Sequence, residues 1–278
     1  MTTEYRDTLT ALMDRGWETK RLGDFKYMRD ENPKKNPLYI PQEEREGRQI
    51  ALLRHDIDHS AVEAHKMAEM DASLGIYSSY YVLTSDVAVF QDGEVKWWGD
   101  PKRQKEGLTL LNEMQDMGHE IGLHYDALGH HLKTGESMDV HLHDALRQLR
   151  GSGLNIRGCA AHGSKILIDL RKGQSLIGTD EHITLAPRKY VSYNIWRDRE
   201  LDGFEYCSLW LEDFGLGYEA YFIQRDWYYA DGYTGEHVVK APTEFAGLEA
   251  SEIPMDAAAH GQVMQALFHP IKWKGRLD

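Results

Sequence analysis

The sequence predicts an α/β fold built on a parallel β-sheet that is either open or closed into a barrel. Short apolar runs alternate with amphipathic segments of helical length, which is the rhythm of repeated strand–helix units. Four apolar runs also end directly at ionisable residues, a pattern typical of strands that deliver an active site. With 278 residues, the length is ordinary for one such fold, and we expect a single domain over residues 1–278.

The predicted helices share an apolar face with three- and four-residue spacing. Two of them have clear starts, because Ser60 followed by Glu63 forms a capping box, and Asp100-Pro101 supplies an N-cap and a proline at the first helical position. The predicted helices cover residues 4–15, 60–75, 101–117 and 139–150.

The predicted strands are short runs rich in aromatic, β-branched and other apolar residues. Residues 30–48 are polar and proline-containing and read as a surface excursion. Residues 175–250 are rich in Tyr and Trp without a helical period, so we expect short strands and long irregular insertions in the second half. The predicted strands cover residues 50–53, 76–83, 120–123, 156–161 and 263–268.

Composition excludes some functional classes. The net charge of −13 makes the chain a poor candidate for binding nucleic acid, which requires clustered cations. Cys159 and Cys207 do not make a disulfide framework, the N-terminus lacks a signal peptide, and no run is long enough to span a membrane. We therefore expect a soluble, cytoplasmic protein, while nothing in the sequence indicates its oligomeric state.

The ionisable residues that end the four apolar runs are expected to converge, because all strands of a parallel sheet present their carboxyl ends at one face. Asp56 and Asp58 lie two residues apart and project to the same side in extended backbone. Two ionised carboxylates held this close repel each other, and a metal ion or a shared proton would relieve the repulsion. One carboxylate could therefore bind a metal while the other acts as a base. The other three runs end at His124, His162 and His269.

These residue types match hydrolytic metal chemistry. Imidazole and carboxylate ligands suit zinc and related divalent ions, and catalytic zinc sites keep one position open. A carboxylate outside the metal shell can then accept a proton from water, and a separate histidine can protonate the leaving group.

The chain resembles the polysaccharide deacetylase family, carbohydrate esterase family 4 (CE4), and is most similar to a divergent branch that opens with Arg-His-Asp-x-Asp. The matching motifs occur in the family's order. They are Arg54-His55-Asp56-Ile57-Asp58, Gly118-His119-Glu120-Ile121-Gly122-Leu123-His124-Tyr125, His162-Gly163-Ser164 and His269-Pro270-x-x-Trp273. The resemblance implies a distorted (β/α) barrel, often of seven strands, that hydrolyses N-acetyl groups on sugars.

The resemblance also implies roles for individual residues. Asp56 corresponds to the catalytic base, His269 to the general acid, and Asp231 weakly resembles an aspartate that orients catalytic groups. Asp58 and His124 correspond to metal ligands. The predicted substrate-binding residues are Arg54, Tyr125 and Trp273.

One position departs from the family pattern. The family's second metal-binding histidine usually lies four residues after the first, but that position is Leu128 here. We favour His162 as the missing ligand because it follows its own strand. Asp126, His130 and His131 remain alternatives.

These expectations describe a metal-dependent amide hydrolase, with zinc the expected ion. Its expected substrate is a small-molecule or lipid-linked amino sugar, as in the synthesis of a surface polysaccharide such as an O-antigen. Two alternatives stay open: a hydrolase of another C–N bond, such as a ring amide or amidine, and a non-catalytic sugar-binding relative that has lost its metal, which the Leu128 departure motivates.

Overall fold

The protein was analysed as a computed structural model, which describes residues 5–29, 38–84, 98, 100–162, 200–201, 204–205, 211–231, 237–240 and 261–274. The helices within these residues are Tyr5–Asp14 (α1), Gln42–Arg45 (α2), Ala61–Ser73 (α3), Pro101–Asp116 (α4), Ala127–Thr134 (α5) and Met138–Gly151 (α6). No described helix combines the length and hydropathy required of a membrane span.

The strands are short apart from β4, β6 and β13, which form the middle of the fold. Several short 3₁₀ helices separate the elements of the second half, including Leu211–Phe214, Ala220–Phe222 and Pro270–Trp273. The strands are Glu18–Lys20 (β1), Met28–Arg29 (β2), Leu38–Tyr39 (β3), Gln49–Ile57 (β4), Ser79–Leu83 (β5), Glu120–Tyr125 (β6), Gly158–Ala161 (β7), Glu200–Leu201 (β8), Phe204–Glu205 (β9), Tyr218–Glu219 (β10), Trp227–Asp231 (β11), His237–Lys240 (β12) and Gln262–Phe268 (β13).

The main sheet confirms the α/β prediction. Seven strands run parallel in the order β10-β7-β6-β5-β4-β13-β11, while β12 adds an antiparallel edge and β1 pairs with the first half of β4. This is the cyclic chain order of a (β/α) barrel, with the break between β10 and β11.

The sheet is curled rather than flat. Gln265 on β13 donates a hydrogen bond of 3.2 Å to the carbonyl of Ala220, which directly follows β10, although four strands separate β13 from β10 in the sheet. Arg54 on β4 stacks over the ring of Tyr221 at 4.3 Å, also across the interior. The architecture is therefore a distorted, partly open barrel, as predicted.

The helix starts follow local capping chemistry. Ser60 Oγ accepts the backbone N–H of Glu63, and the Asp100 carboxylate accepts the N–H groups of Lys102 and Arg103 at the start of α4. Both helices bury an apolar face, α3 with Met67 and α4 with Leu111 and Met114 among its buried residues. These helices pack beside the strands that carry the site.

Four of the five predicted strands have different ends in the structure, and two of them, β5 and β7, begin later than predicted, at Ser79 and Gly158. The predicted strand at 50–53 continues to Ile57, so Asp56 lies inside β4 and not in a polar loop. The strand predicted at 120–123 likewise continues through His124 to Tyr125. Both extensions consist of residues that are buried and paired with neighbouring strands, which hydropathy alone does not reveal. The strand predicted at 263–268 is confirmed.

Candidate metal centre

Three of the predicted site residues come together at the carboxyl ends of the parallel strands. Asp58 follows β4, His124 lies near the end of β6, and His162 follows β7. Each offers one ligand atom, and these atoms all lie within 4.8 Å of one another. All three residues are buried, with exposures of 8%, 2% and 5%. We call this group the Asp58 triad.

Register explains why residues so distant in sequence meet. β6 and β7 are parallel neighbours, with His124 opposite Ala160. The backbone N–H of His162 then donates to the carbonyl of Tyr125 at 2.8 Å, which continues the ladder by one residue. The imidazoles of His124 and His162 consequently lie edge to face, with centroids 5.0 Å apart.

The hydrogen bonds of His124 leave its second nitrogen facing carboxylates. Nδ1 donates to the carbonyl of Ala160 at 2.9 Å, because a carbonyl can only accept. Nε2 lies 3.2 Å from Asp58 Oδ1 and 3.4 Å from Asp56 Oδ2. A backbone carbonyl that fixes one imidazole nitrogen while the other faces a metal is a common arrangement for a metal-binding histidine.

Asp58 presents a charged oxygen without a conventional partner. Its Oδ1 is buried and accepts no well-directed hydrogen bond from the described residues. Burial alone would raise the pKa of Asp58, but the surrounding imidazoles of His124, His162 and His269 lower it well below the ordinary value for an aspartate. The side chain therefore remains ionised.

Asp56 lies beside the triad and is held by Arg54. The guanidinium donates two hydrogen bonds to the carboxylate, from Nε at 2.8 Å and from Nη2 at 2.6 Å, and both side chains are at most 3% exposed. Burial raises the pKa of Asp56, but the charges of Arg54 and His124 outweigh it and the net shift is downward. This bidentate pair fixes the carboxylate next to the triad.

His269 approaches the triad from β13. Its Nδ1 donates to Asp231 Oδ1 at 2.6 Å, and its Nε2 lies 4.0 Å from Asp58 Oδ2. Asp231 is held in place by the backbone N–H of His269 and by Nε1 of Trp273, at 2.7 and 2.8 Å. Burial lowers the pKa of His269, but Asp231 outweighs this effect and raises it overall.

The three predicted substrate-binding residues are all buried. Arg54 is fully enclosed and pairs with Asp56, whereas Trp273 donates to Asp231. Tyr125 is 2% exposed at the end of β6. Contacts of these residues with a substrate stay predictions, and their described contacts are with neighbouring site residues and the core. Gly163 and Ser164 lie outside the described residues.

The alternatives to His162 occupy other positions. The carboxylate of Asp126 lies behind His162, with Oδ2 3.6 Å from Nδ1 of that imidazole. Both Asp126 oxygens are buried and accept no hydrogen bond from the described residues. His130 belongs to a separate cluster with Glu136 and His141, and His131 contacts the backbone carbonyl of Glu136.

Glu219 is a site residue that the sequence analysis missed. It is fully buried on β10, where its carboxylate accepts the N–H groups of Ala161 and Tyr221 at 3.1 and 2.9 Å. Burial raises its pKa to about 7 despite the opposing charge of Arg54. Glu219 thereby anchors the end of β7 just before His162, and no sequence motif marks it.

No protein-family model and no curated protein matches the sequence. Among solved structures, the chain is similar to the wild-type CE4 family pseudoenzyme from Bacillus anthracis, with 13% identity and a TM-score of 0.36 over 84% of this chain and 59% of that one. A mutant of that pseudoenzyme with restored enzymatic activity gives 12% identity and a TM-score of 0.35, over 84% and 61% of the two chains. A further mutant of that pseudoenzyme gives 13% identity and a TM-score of 0.38, over 85% of this chain and 60% of that one. The chain therefore spans about three fifths of the length of these structures.

Proposed function

We propose that this protein is a metal-dependent hydrolase that removes an N-acetyl group from an amino sugar. The observation that carries the proposal is the buried Asp58 triad with Asp56 and His269 beside it. The sugar substrate, in a small-molecule or lipid-linked biosynthetic intermediate, rests on the motif resemblance described above.

The residues of the triad fit a divalent ion. Two imidazoles and one carboxylate are a ligand set found in catalytic zinc sites, which leave a further position open. The buried, poorly partnered Asp58 Oδ1 is a polar atom that a protein interior normally satisfies. A bound ion would polarise the amide carbonyl and lower the pKa of a water molecule.

The side chains beside the triad supply the proton transfers. Asp56 accepts the proton of the attacking water, and Arg54 keeps its carboxylate in one orientation. His269 donates a proton to the departing sugar nitrogen from Nε2, because Asp231 holds Nδ1–H and favours the protonated imidazole. With its side chain 18% exposed, His269 is the most accessible of these groups.

The test combines metal content with acetate release. Protein without an affinity tag should lose one zinc ion per chain, relative to wild type, in both Asp58→Asn and His162→Ala. His143→Ala, an exposed histidine on the outer helix α6, is the control and should keep the wild-type content. Asp56→Asn should keep the metal but lose acetate release from N-acetylglucosamine, chitobiose or UDP-N-acetylglucosamine.

Other outcomes would redirect the assignment. Metal binding without acetate release from any of these compounds would favour hydrolysis of a different C–N bond. Wild-type metal content in both triad variants would overturn the proposed centre, and a wild type that binds no zinc would favour the non-catalytic sugar-binding alternative.

A further inference from the structure

A second group of potential metal ligands lies between α5 and α6, away from the Asp58 triad. His130 Nε2 contacts Glu136 Oε2 at 2.8 Å, and His141 Nδ1 lies 3.8 Å from the same oxygen. One ligand atom from each residue lies within 4.8 Å of the other two. We propose that His130, Glu136 and His141 form a second divalent-cation site, here named the α5–α6 site, that joins the two helices.

The spacing of the three donors is close to what a tetrahedral ion requires. Ligand atoms at zinc–nitrogen and zinc–oxygen distances of about 2.0–2.1 Å are about 3.3 Å apart. The two separations from Glu136 Oε2, 2.8 and 3.8 Å, bracket this value. Shifts of less than an ångström would bring them to it, together with a tilt of the two rings towards the carboxylate.

The two imidazoles pack against each other beside Glu136. The rings of His130 and His141 stack with centroids 4.0 Å apart and an interplanar angle of 16°. Both imidazoles are thereby held beside the same carboxylate oxygen. The side chains are only 13% and 11% exposed, whereas Glu136 is 42% exposed and leaves the site open to ions from solvent.

The connection between the helices holds Glu136 in position. α5 ends at Gly135, whose φ of 76° and N–H bond to the His131 carbonyl turn the chain sharply. The backbone N–H of Glu136 donates to Thr134 Oγ1, and its carbonyl accepts from His131 Nδ1 at 2.8 Å. The carboxylate is therefore presented between the helices by backbone contacts that do not depend on a metal.

An ion at this position would hold α5 against α6, and α5 leads directly from the strand that carries His124. α5 begins immediately after Asp126, which faces His162, and three residues after His124. Binding only to the folded state would raise the unfolding temperature in proportion to the logarithm of free zinc. The α5–α6 site has a structural role, because two of its ligands come from two packed helices and the third comes from the connection between them.

The test separates this site from the triad. In untagged Asp58→Asn/His162→Ala protein, zinc titration by calorimetry should still show one ion per chain. Adding His141→Ala or Glu136→Gln should weaken that binding by roughly tenfold or more. His143→Ala, two residues along the same helix, is the matched control and should leave the affinity unchanged.

Two results would overturn the α5–α6 site: no zinc binding by the triad-deficient protein at millimolar zinc, or equal affinities in the His141→Ala and His143→Ala proteins. Glu136→Gln alters an exposed, isosteric side chain, so a loss of binding in it cannot be ascribed to misfolding when its circular dichroism is unchanged. Because the triad is already disabled in this protein, a lack of zinc binding at the α5–α6 site would leave the proposed hydrolase function untouched. A failure of the hydrolase test would likewise leave the α5–α6 site untouched.

Discussion

The Arg54–Asp56 ion pair allows a quantitative test of how the site is built. Both charges lie within the barrel, at most 3% exposed, and are joined by two short hydrogen bonds. Replacing Arg54 with Met keeps much of the side-chain volume but leaves the Asp56 carboxylate buried without its counter-ion. Breaking such a pair costs about 3–5 kcal/mol, because the desolvated charge that remains is no longer compensated. We expect Arg54→Met to lose this much free energy of unfolding.

A surface pair of the same chemistry provides the control. Arg48 donates to Glu18 through the same two nitrogens, Nε at 3.1 Å and Nη2 at 2.6 Å. These side chains are 33% and 46% exposed, so water solvates the partner that remains after Arg48→Met. The expected cost is then at most about 1 kcal/mol. Each arginine makes a further contact, Arg48 with the Glu44 carbonyl and Arg54 with the ring of Tyr221, and the two ion pairs themselves differ in burial.

Urea unfolding followed by circular dichroism, with a chelator present, measures both variants without a contribution from bound metal. Arg54→Met/Asp56→Leu should recover part of the stability lost in Arg54→Met, because it removes both buried charges. Costs for Arg54→Met and Arg48→Met that agree within about 1 kcal/mol would refute the reasoning. The reasoning would also be refuted if the loss in Arg54→Met/Asp56→Leu equalled the sum of the losses measured for Arg54→Met and for Asp56→Leu alone.

Three further predictions concern other positions. Asp126→Ala should weaken zinc binding at the triad by about 10–100-fold, since the carboxylate lies behind a proposed ligand, and calorimetry showing unchanged affinity would contradict this role. Burial raises the pKa of Asp71 from 3.8 to about 6, so the fold loses up to about 3 kcal/mol as pH rises from below 4 to above 6. Asp71→Asn should abolish that part of the decline, and unfolding curves of equal pH dependence would count against it. Gly122→Ala should cost about 1–3 kcal/mol because its Cβ would lie 2.5 Å from a buried tyrosine ring. Gly151→Ala, with nothing within 4 Å, should cost less, and equal losses in urea unfolding would exclude the steric explanation.

Sequence periodicity predicts which segments form strands more accurately than it predicts where those strands end. β4 was expected to stop before Arg54 because charged residues usually mark a loop, yet Arg54 and Asp56 neutralise each other and the strand continues to Ile57. The alternation of side chains along β4 places His55 opposite to Asp56. That imidazole is fully buried on the other side of β4 and stacks on Tyr80 at 4.2 Å.

The contributions of β10 and β11 could not be read from local patterns. β10 has only two residues, and its pairing with Gly158 and Cys159 on β7 is a tertiary contact that no short motif encodes. The sequence analysis did not identify Glu219, because its partners are backbone N–H groups and not other ionisable side chains. Asp231 was identified only by a weak motif, although it is the residue that orients His269.

The proposed third ligand follows from the geometry of adjacent parallel strands. The motif resemblance places a second histidine four residues after His124, on the element that leaves β6, where this chain has Leu128. The end of β7 also lies beside the end of β6, because neighbouring parallel strands present their carboxyl ends at the same edge of the sheet. Here the N–H of His162 extends the ladder to Tyr125, and the imidazole meets His124 edge to face. Register between β6 and β7 thus brings together two histidines from different strand–helix units, which spacing within one unit does not predict.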